Sequence, residues 1–156
     1  MKTTLILVGK TTDKHFQAGI SDYAERISHY MPFDMMTIPE LKNTKSLSEE
    51  QQKTAEGELI LKQIQPSDTV VLLDEHGKEL RSVEYARWLA QKQQAARRLV
   101  FVIGGPYGFS QEVYKRADEK LSLSKMTFSH QMVRLIFTEQ LYRACTIIKG
   151  EPYHHE

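Results

Sequence analysis

The sequence predicts an α/β fold, a mostly parallel sheet flanked by helices on both faces, and three observations carry that prediction. Strand-like and helix-like segments alternate along the whole chain. Two central runs, Thr69-Val70-Val71-Leu72-Leu73 and Leu99-Val100-Phe101-Val102-Ile103, are apolar almost without interruption, as strands must be when helices cover both faces of a parallel sheet. The second run breaks abruptly into Gly104-Gly105-Pro106-Tyr107-Gly108-Phe109, with a helix-start signal at Ser110. A buried strand that ends in a glycine turn and then a helix forms a ligand-binding edge, because bare backbone lets a ligand come close.

Residues 3 to 8 read as a short apolar strand. From Asp13 to Tyr30, the residues Phe16, Ile20, Tyr23, Ala24 and Ile27 recur at helical spacing. Phe33 to Ile38 is a second strand, followed by a polar, irregular stretch from Pro39 to Leu47. Ser46-Leu47-Ser48-Glu49 matches a capping box. The helix it opens carries Ala55, Leu59, Ile60 and Ile64 as its stripe and stops at Pro66-Ser67-Asp68. The strand at 69–73 should end in a polar turn, Asp74 to Lys78. Ser82 then caps a helix with Tyr85, Trp88 and Leu89 on one side. After the strand at 99–103 come a short helix from Ser110 to about Arg116, an extended piece around Leu121 to Leu123, and a long helix from about Gln131 to Ile148. No internal repeat or low-complexity segment interrupts this order. A chain of 156 residues makes one domain, residues 1–156, able to bury a core without disulfide or metal support.

Composition narrows the function classes. With 21 Lys+Arg against 20 Asp+Glu the net charge is only +1, whereas proteins that track nucleic-acid phosphates carry a strong basic excess. An RNA enzyme of this charge must recognise a folded surface. The single cysteine, Cys145, sits in an apolar helical stretch and is expected to be a buried small hydrophobe. The apolar start, Thr3 to Val8, is too short for a signal-peptide core or a membrane span, so a cytoplasmic protein without membrane contact is expected. His15, His29 and His76 have no metal-ligand spacing, and no metal is expected. Lys92, Arg97 and Arg98 form a small basic cluster that reads as a solvated helix end before it reads as an RNA contact.

After the glycine turn the chain continues with Leu121-Ser122-Leu123-Ser124-Lys125-Met126-Thr127-Phe128, then His130-Gln131-Met132-Val133-Arg134, Glu139-Gln140-Leu141-Tyr142-Arg143-Ala144 and Gly150-Glu151-Pro152-Tyr153-His154. In this order the blocks resemble the SPOUT-class methyltransferases, and among them the ribosomal RNA large subunit methyltransferase H family. The resemblance runs from Leu5-Ile6-Leu7-Val8-Gly9-Lys10 to the Tyr153-His154 tail. It implies a SPOUT-type α/β knot with a trefoil knot in the C-terminal half. It also implies a homodimer whose cofactor pocket lies at the subunit interface, and transfer of a methyl group from S-adenosylmethionine to N3 of a pseudouridine in 23S rRNA, with S-adenosylhomocysteine as product. The substrate expected from the low charge is 23S rRNA within an assembled ribosomal particle. Two other readings stand beside this one: a SPOUT methyltransferase acting on tRNA, and a non-catalytic ribosome-associated RNA-binding module.

By the same resemblance three loops hold the cofactor: the strand end at Leu73, the turn at Gly104, and the segment Leu123, Ser124, Lys125, Met126, Thr127 and Phe128. Leu73, Ile103, Leu123 and Met126 can wall an adenine slot, and Gly104 and Gly105 would admit the ligand without side-chain clash. Methylating N3 of a uracil-type ring requires loss of an imide proton and in-line attack on a sulfonium methyl, so alignment and a proton acceptor are needed. His130 and His154 are both candidates for the acceptor. Arg134 and Tyr153 complete the candidate catalytic set. Arg134 and Arg143 are separated by about two and a half helical turns and must project from opposite faces of the last helix. They cannot share one pocket within a monomer, and Glu139 is available to pair with either. Tyr142 reads as packing, and His155 has no assignable role.

Overall fold

The computed structural model describes all 156 residues, Met1–Glu156. Five strands form one all-parallel sheet: β1 (Lys2–Val8), β2 (Phe33–Ile38), β3 (Thr69–Glu79), β4 (Arg98–Ile103) and β5 (Glu119–Ser122). Their spatial order is β2-β1-β4-β3-β5. The helices are α1 (Lys14–Ser28), α2 (Glu49–Lys62), α3 (Ser82–Ala95), α4 (Gln111–Arg116) and α5 (Met132–Lys149). Parallel strands need helical crossovers, and the crossovers cover both faces.

Alternate residues of each strand serve opposite cores. Leu5 and Leu7 of β1, with Leu99, Phe101 and Ile103 of β4, face α3 and α5, where Trp88, Leu89, Phe137 and Leu141 meet them. Ile6, Val8, Val70, Leu72, Val100 and Val102 face the other way, toward Ile60 of α2 and Val113 of α4. Both cores are therefore built from the apolar runs that the sequence displays. Cys145 lies in the first core with its thiol unpaired, and burial pushes that thiol's pKa up to about 12. No helix is long and apolar enough to cross a membrane.

Four local expectations are corrected. The capping box belongs to Ser48, not Ser46: the Ser48 hydroxyl accepts the Gln51 amide at 3.1 Å and Gln51 accepts the Ser48 amide at 2.9 Å. Ser46 is instead the last residue of a 3-10 turn, Thr44–Ser46, because two overlapping Ser-x-x-acceptor patterns compete and the second satisfies both amides. Arg81, not Ser82, holds the cap position of α3, and its amide donates to Glu84 at 2.8 Å. β5 starts at Glu119, two residues before the expected apolar pair, because Glu119 is tied by the Trp88 indole N–H at 3.0 Å. Finally, β3 does not end at Leu73. Leu73 and Lys78 both pair with Leu121, so the expected turn, Asp74 to Lys78, is instead a bulge between those two pairings in a strand that runs on to Glu79.

Candidate functional site

Where β3, β4 and β5 end at the carboxyl edge of the sheet, their loops enclose a cleft of about 540 Å³, within the usual range for small-molecule sites. Leu73, Gly104, Leu123, Ser124, Met126, Thr127 and Phe128 all line it, as does His130. Lys125 belongs to the same loop but points away to solvent, 3.9 Å from Glu79. The walls are apolar at Leu73, Ile103, Leu121, Leu123 and Val133. Met126, expected as a wall, lines the cleft mouth and is 77% exposed.

The glycine turn closes on itself, with the Gly108 amide donating to the Gly105 carbonyl at 3.2 Å. Gly108 has φ +85°, which L side chains avoid. Packing adds a second reason for glycine at 104 and 105, beside the expected room for a ligand. A Cβ on Gly104 would lie 2.9 Å from the Phe109 ring, and one on Gly105 would lie 2.7 Å from the Glu56 carboxylate of α2. The turn is thus pressed by Phe109, itself part of the cleft lining, and by Glu56 of α2. Burial raises the Glu56 pKa above its ordinary value, against the opposing pull of the Gly105 amide.

The β3 bulge supplies polar groups that sequence reasoning passed over. The Tyr114 hydroxyl of α4 donates to Asp74, and the Thr127 hydroxyl donates to Glu75 at 3.1 Å, tying the 123–128 loop to the bulge. Burial, reinforced by Asp74, holds the Tyr114 phenol well above its usual pKa. Two carboxylates directly after the buried apolar run 69–73 were the available signal, since the carboxyl edge of a parallel sheet is where ligands bind. Along the 123–128 loop the amides of Leu123, Ser124, Thr127 and Phe128 meet no acceptor elsewhere in the chain; only the Met126 amide is engaged, by the Ser124 hydroxyl at 3.0 Å.

Arg134 lies behind the cleft, not in it. It is fully buried and grips the end of β1: Nη2 donates to the Val8 carbonyl at 2.7 Å, Nη1 to the Gly9 carbonyl at 2.8 Å and the Thr11 hydroxyl at 3.0 Å, and Nε to the His130 carbonyl at 3.0 Å. Burial lowers its pKa from the ordinary arginine value while Glu40 opposes that shift. These bonds make it the strut that fixes His130 and the start of α5 against β1. His130 itself is exposed, and its ring is held by no hydrogen bond.

The tail is folded on the opposite face of α5. The Tyr153 hydroxyl donates to Glu139 Oε1 at 3.0 Å, and Arg143 bonds the same oxygen at 2.6 Å. The Arg143 guanidinium lies 4.8 Å from the Tyr153 ring centre. Its Nη1 donates to His154 Nδ1 at 3.0 Å. Because arginine can only donate, that bond assigns the His154 proton to Nε2, and Nε2 is buried without a partner. Burial, with the bonds to Tyr23 and Glu139, raises the Tyr153 phenol above its ordinary pKa. So the structure brings the residues expected to hold a cofactor, Lys125 excepted, together with His130, and separately unites Tyr153, His154 and Arg143. No tail residue lines the cleft of its own chain. The opposite placing of Arg134 and Arg143 follows the helical spacing.

The Lys92, Arg97 and Arg98 cluster divides. Lys92 pairs with Glu119 and Arg98 with Asp68 at the amino edge of the sheet, away from the cleft. No three His, Cys, Asp or Glu side chains are grouped to hold a metal ion.

Comparison with known proteins gives a consistent result. The family described as "Predicted SPOUT methyltransferase" matches residues 1–154. Proteins named ribosomal RNA large subunit methyltransferase H align over the full length of both chains at 67% identity in Bacteroides fragilis, 64% in Phocaeicola vulgatus and 55% in Flavobacterium johnsoniae.

Proposed function

The chain belongs to the SPOUT methyltransferase family, and from that premise we propose that it methylates the RNA of the large ribosomal subunit, at N3 of a pseudouridine in 23S rRNA, with S-adenosylmethionine as donor. The observation that carries this is the cleft at the ends of β3, β4 and β5, which gathers the three loops in one place. The names of the full-length relatives favour rRNA over tRNA, and an enzyme over a binding module.

The lining fits the donor. Leu73, Ile103, Leu121, Leu123 and Val133 offer flat apolar walls for adenine. The free amides of the 123–128 loop can read the edge of the base, and Asp74 and Glu75 place negative charge where a sulfonium and an ammonium need it. When bound, S-adenosylmethionine supplies an electrophilic methyl group. The chain's residues then have to hold the uracil-type ring in line and take its imide proton. His130 is the acceptor this geometry favours, because both its ring nitrogens are free beside the cleft. His154 has its Nδ1 lone pair committed to Arg143, and its Nε2–H, buried without a partner in the single chain, makes it a donor and not a base.

Because the tail does not reach its own cleft, Tyr153, His154 and Arg143 act on the cleft of a partner subunit in a homodimer. Low net charge favours an assembled ribosomal particle over naked RNA, and a cytoplasmic site follows from that substrate. The family's trefoil threading is carried by β4 through α5; the return of α5 to β1 through Arg134, after β5 at the far edge, supports it.

Two defective chains test the shared site. One lacks residues 152–156, and the other carries Thr127→Arg, which fills the cleft mouth from an exposed position. The first should keep cofactor binding. The second should lose the cofactor's stabilisation, about 2.7 kcal/mol at a hundredfold excess over Kd, while staying folded. Gly104→Val would be a poorer probe, since its side chain strikes Phe109. Mixed and re-dimerised, the two should regain methyl transfer to large-subunit RNA. Heterodimers that form without activity would overturn the shared site.

A further inference from the structure

The sheet's carboxyl edge carries a second feature beside the cleft. Lys10 follows β1, Lys14 opens α1, and Lys42 and Lys45 lie in the loop after β2. All four are exposed, and none belongs to any of the chain's ion pairs. They are brought together by the sheet. β1 and β2 are adjacent and parallel, and their pairing persists to the last residue, with the Gly9 amide donating to the Ile38 carbonyl at 2.7 Å. The two loops therefore leave the sheet side by side, on the edge where the cleft opens.

Three of the carboxylates near this rim are engaged elsewhere, and Glu49, at the start of α2, is left free. Asp13 caps α1, accepting the amides of His15 at 2.8 Å and Phe16 at 3.2 Å. Glu40 is folded back on Gly9, where a Cβ would lie 2.5 Å from its oxygen, and faces the buried Arg134. Glu50 holds Lys53 at 2.7 Å. The rim is also joined to the cleft: Gln131 donates to the Lys10 carbonyl at 3.2 Å and accepts the Thr12 amide at 2.8 Å, and its neighbour His130 lines the cleft.

We propose that this rim, Lys10, Lys14, Lys42 and Lys45, is the surface on which the phosphate backbone of the substrate RNA docks, leading the target base past His130 into the cleft. The proposal rests on the reading of the chain as an RNA methyltransferase. It reconciles that reading with a net charge of +1: the chain needs no overall basic excess if four of its free cations stand together where the RNA must pass.

The test replaces all four lysines by glutamine in the full-length protein and measures the salt dependence of its binding to large ribosomal subunits. Every lysine–phosphate pairing removed should flatten the slope of log Kd against log salt by about 0.7–0.9, so the variant's slope should fall by about 3. KM for the particle should rise while kcat at saturating particle and S-adenosylmethionine binding stay as in the wild type. A Lys62→Gln/Arg97→Gln variant, altered at the opposite edge, should keep the wild-type slope. An unchanged slope in the fourfold variant overturns the proposal. So does a slope that flattens on the particle but not on protein-free 23S RNA, which would assign the rim to an acidic ribosomal protein. The assay separates this proposal from the functional reading. If the wild type transfers no methyl group yet the slope flattens, the enzymatic reading fails and the rim stands; if methyl transfer occurs with an unchanged slope, only the rim fails.

Discussion

The two edges of the sheet use the same residue types to opposite ends. At the amino edge, the charges beside the starts of β3, β4 and β5 are paired, and only outlying ones such as Lys62 and Arg97 stay free. Arg98 binds Asp68 through two nitrogens, at 3.1 and 2.6 Å, and Arg116 donates to the Gln65 and Asp68 carbonyls at 2.8 and 3.0 Å. Asp118 accepts the Val70 amide at 2.8 Å, and Lys92 and Trp88 both reach Glu119. At the carboxyl edge, amides of the 123–128 loop, the His130 ring and four lysines are left without partners. Unmet hydrogen-bonding capacity is tolerable only in water or against a ligand. The contrast separates an edge that holds the fold from an edge left open, and the carboxyl edge is where parallel α/β sheets place their ligands.

The largest effect expected from disturbing either edge is on turnover. His130→Ala should lower kcat by about 10² to 10⁴, the worth of a general acid–base group, with the folding midpoint unchanged because the ring makes no bond. Added imidazole should restore part of the rate. Full activity in the alanine variant would transfer the proton acceptor to the tail, and a large stability loss would mean that the two edges are not divided as described.

At the amino edge the expectation reverses, with stability lost and chemistry kept. Asp68→Ala leaves Arg98 unpaired where the carboxylate was 1% exposed, and breaking a buried pair costs about 3 kcal/mol. Chemical denaturation should show this with an unchanged slope. Burial works to raise the Asp68 pKa, but Arg98, the Gln65 amide and Arg116 together hold it below its ordinary value of 3.8. A carboxylate depressed in the folded state contributes stability that is present above its unfolded pKa and lost as pH falls through the folded one. The wild type should therefore lose stability below about pH 4 more steeply than the alanine variant.

The smallest effect belongs to the same edge at its surface. Lys2 pairs with Asp34 at 3.3 Å, but the two side chains are 53% and 41% exposed, so Lys2→Ala should cost less than about 1 kcal/mol and fade in salt. A cost as large as that of Asp68→Ala would show that exposure does not decide which pairs at this edge matter.

Much of this was legible in the chain because it depends on local pattern. Continuous apolar runs at 69–73 and 99–103 can be satisfied only between two helix layers, and they form the two cores. The glycine turn had to bend where bulky residues could not follow. The SPOUT blocks, ordered along the whole chain, identified the family and with it the loops at Leu73, Gly104 and Leu123 to Phe128. Helical period alone placed Arg134 and Arg143 on opposite faces.

Other features exist only once distant segments meet. The β3 bulge arises because Leu121 pairs with both Leu73 and Lys78, a register that nothing in the run Asp74 to Lys78 announces. Arg134 reads as a candidate for chemistry, yet its donors end on the carbonyls of Val8 and Gly9, more than a hundred residues away in sequence. In the basic cluster visible in sequence, Lys92 and Arg98 are paired with Glu119 and Asp68, whereas the four lysines of the rim are split between two loops that show no cluster separately. Burial and backbone pattern are written locally, because solvent and φ/ψ preference act on each residue in turn. Whether a charge stays free is decided by its neighbours in space, and only the folded sheet assigns those.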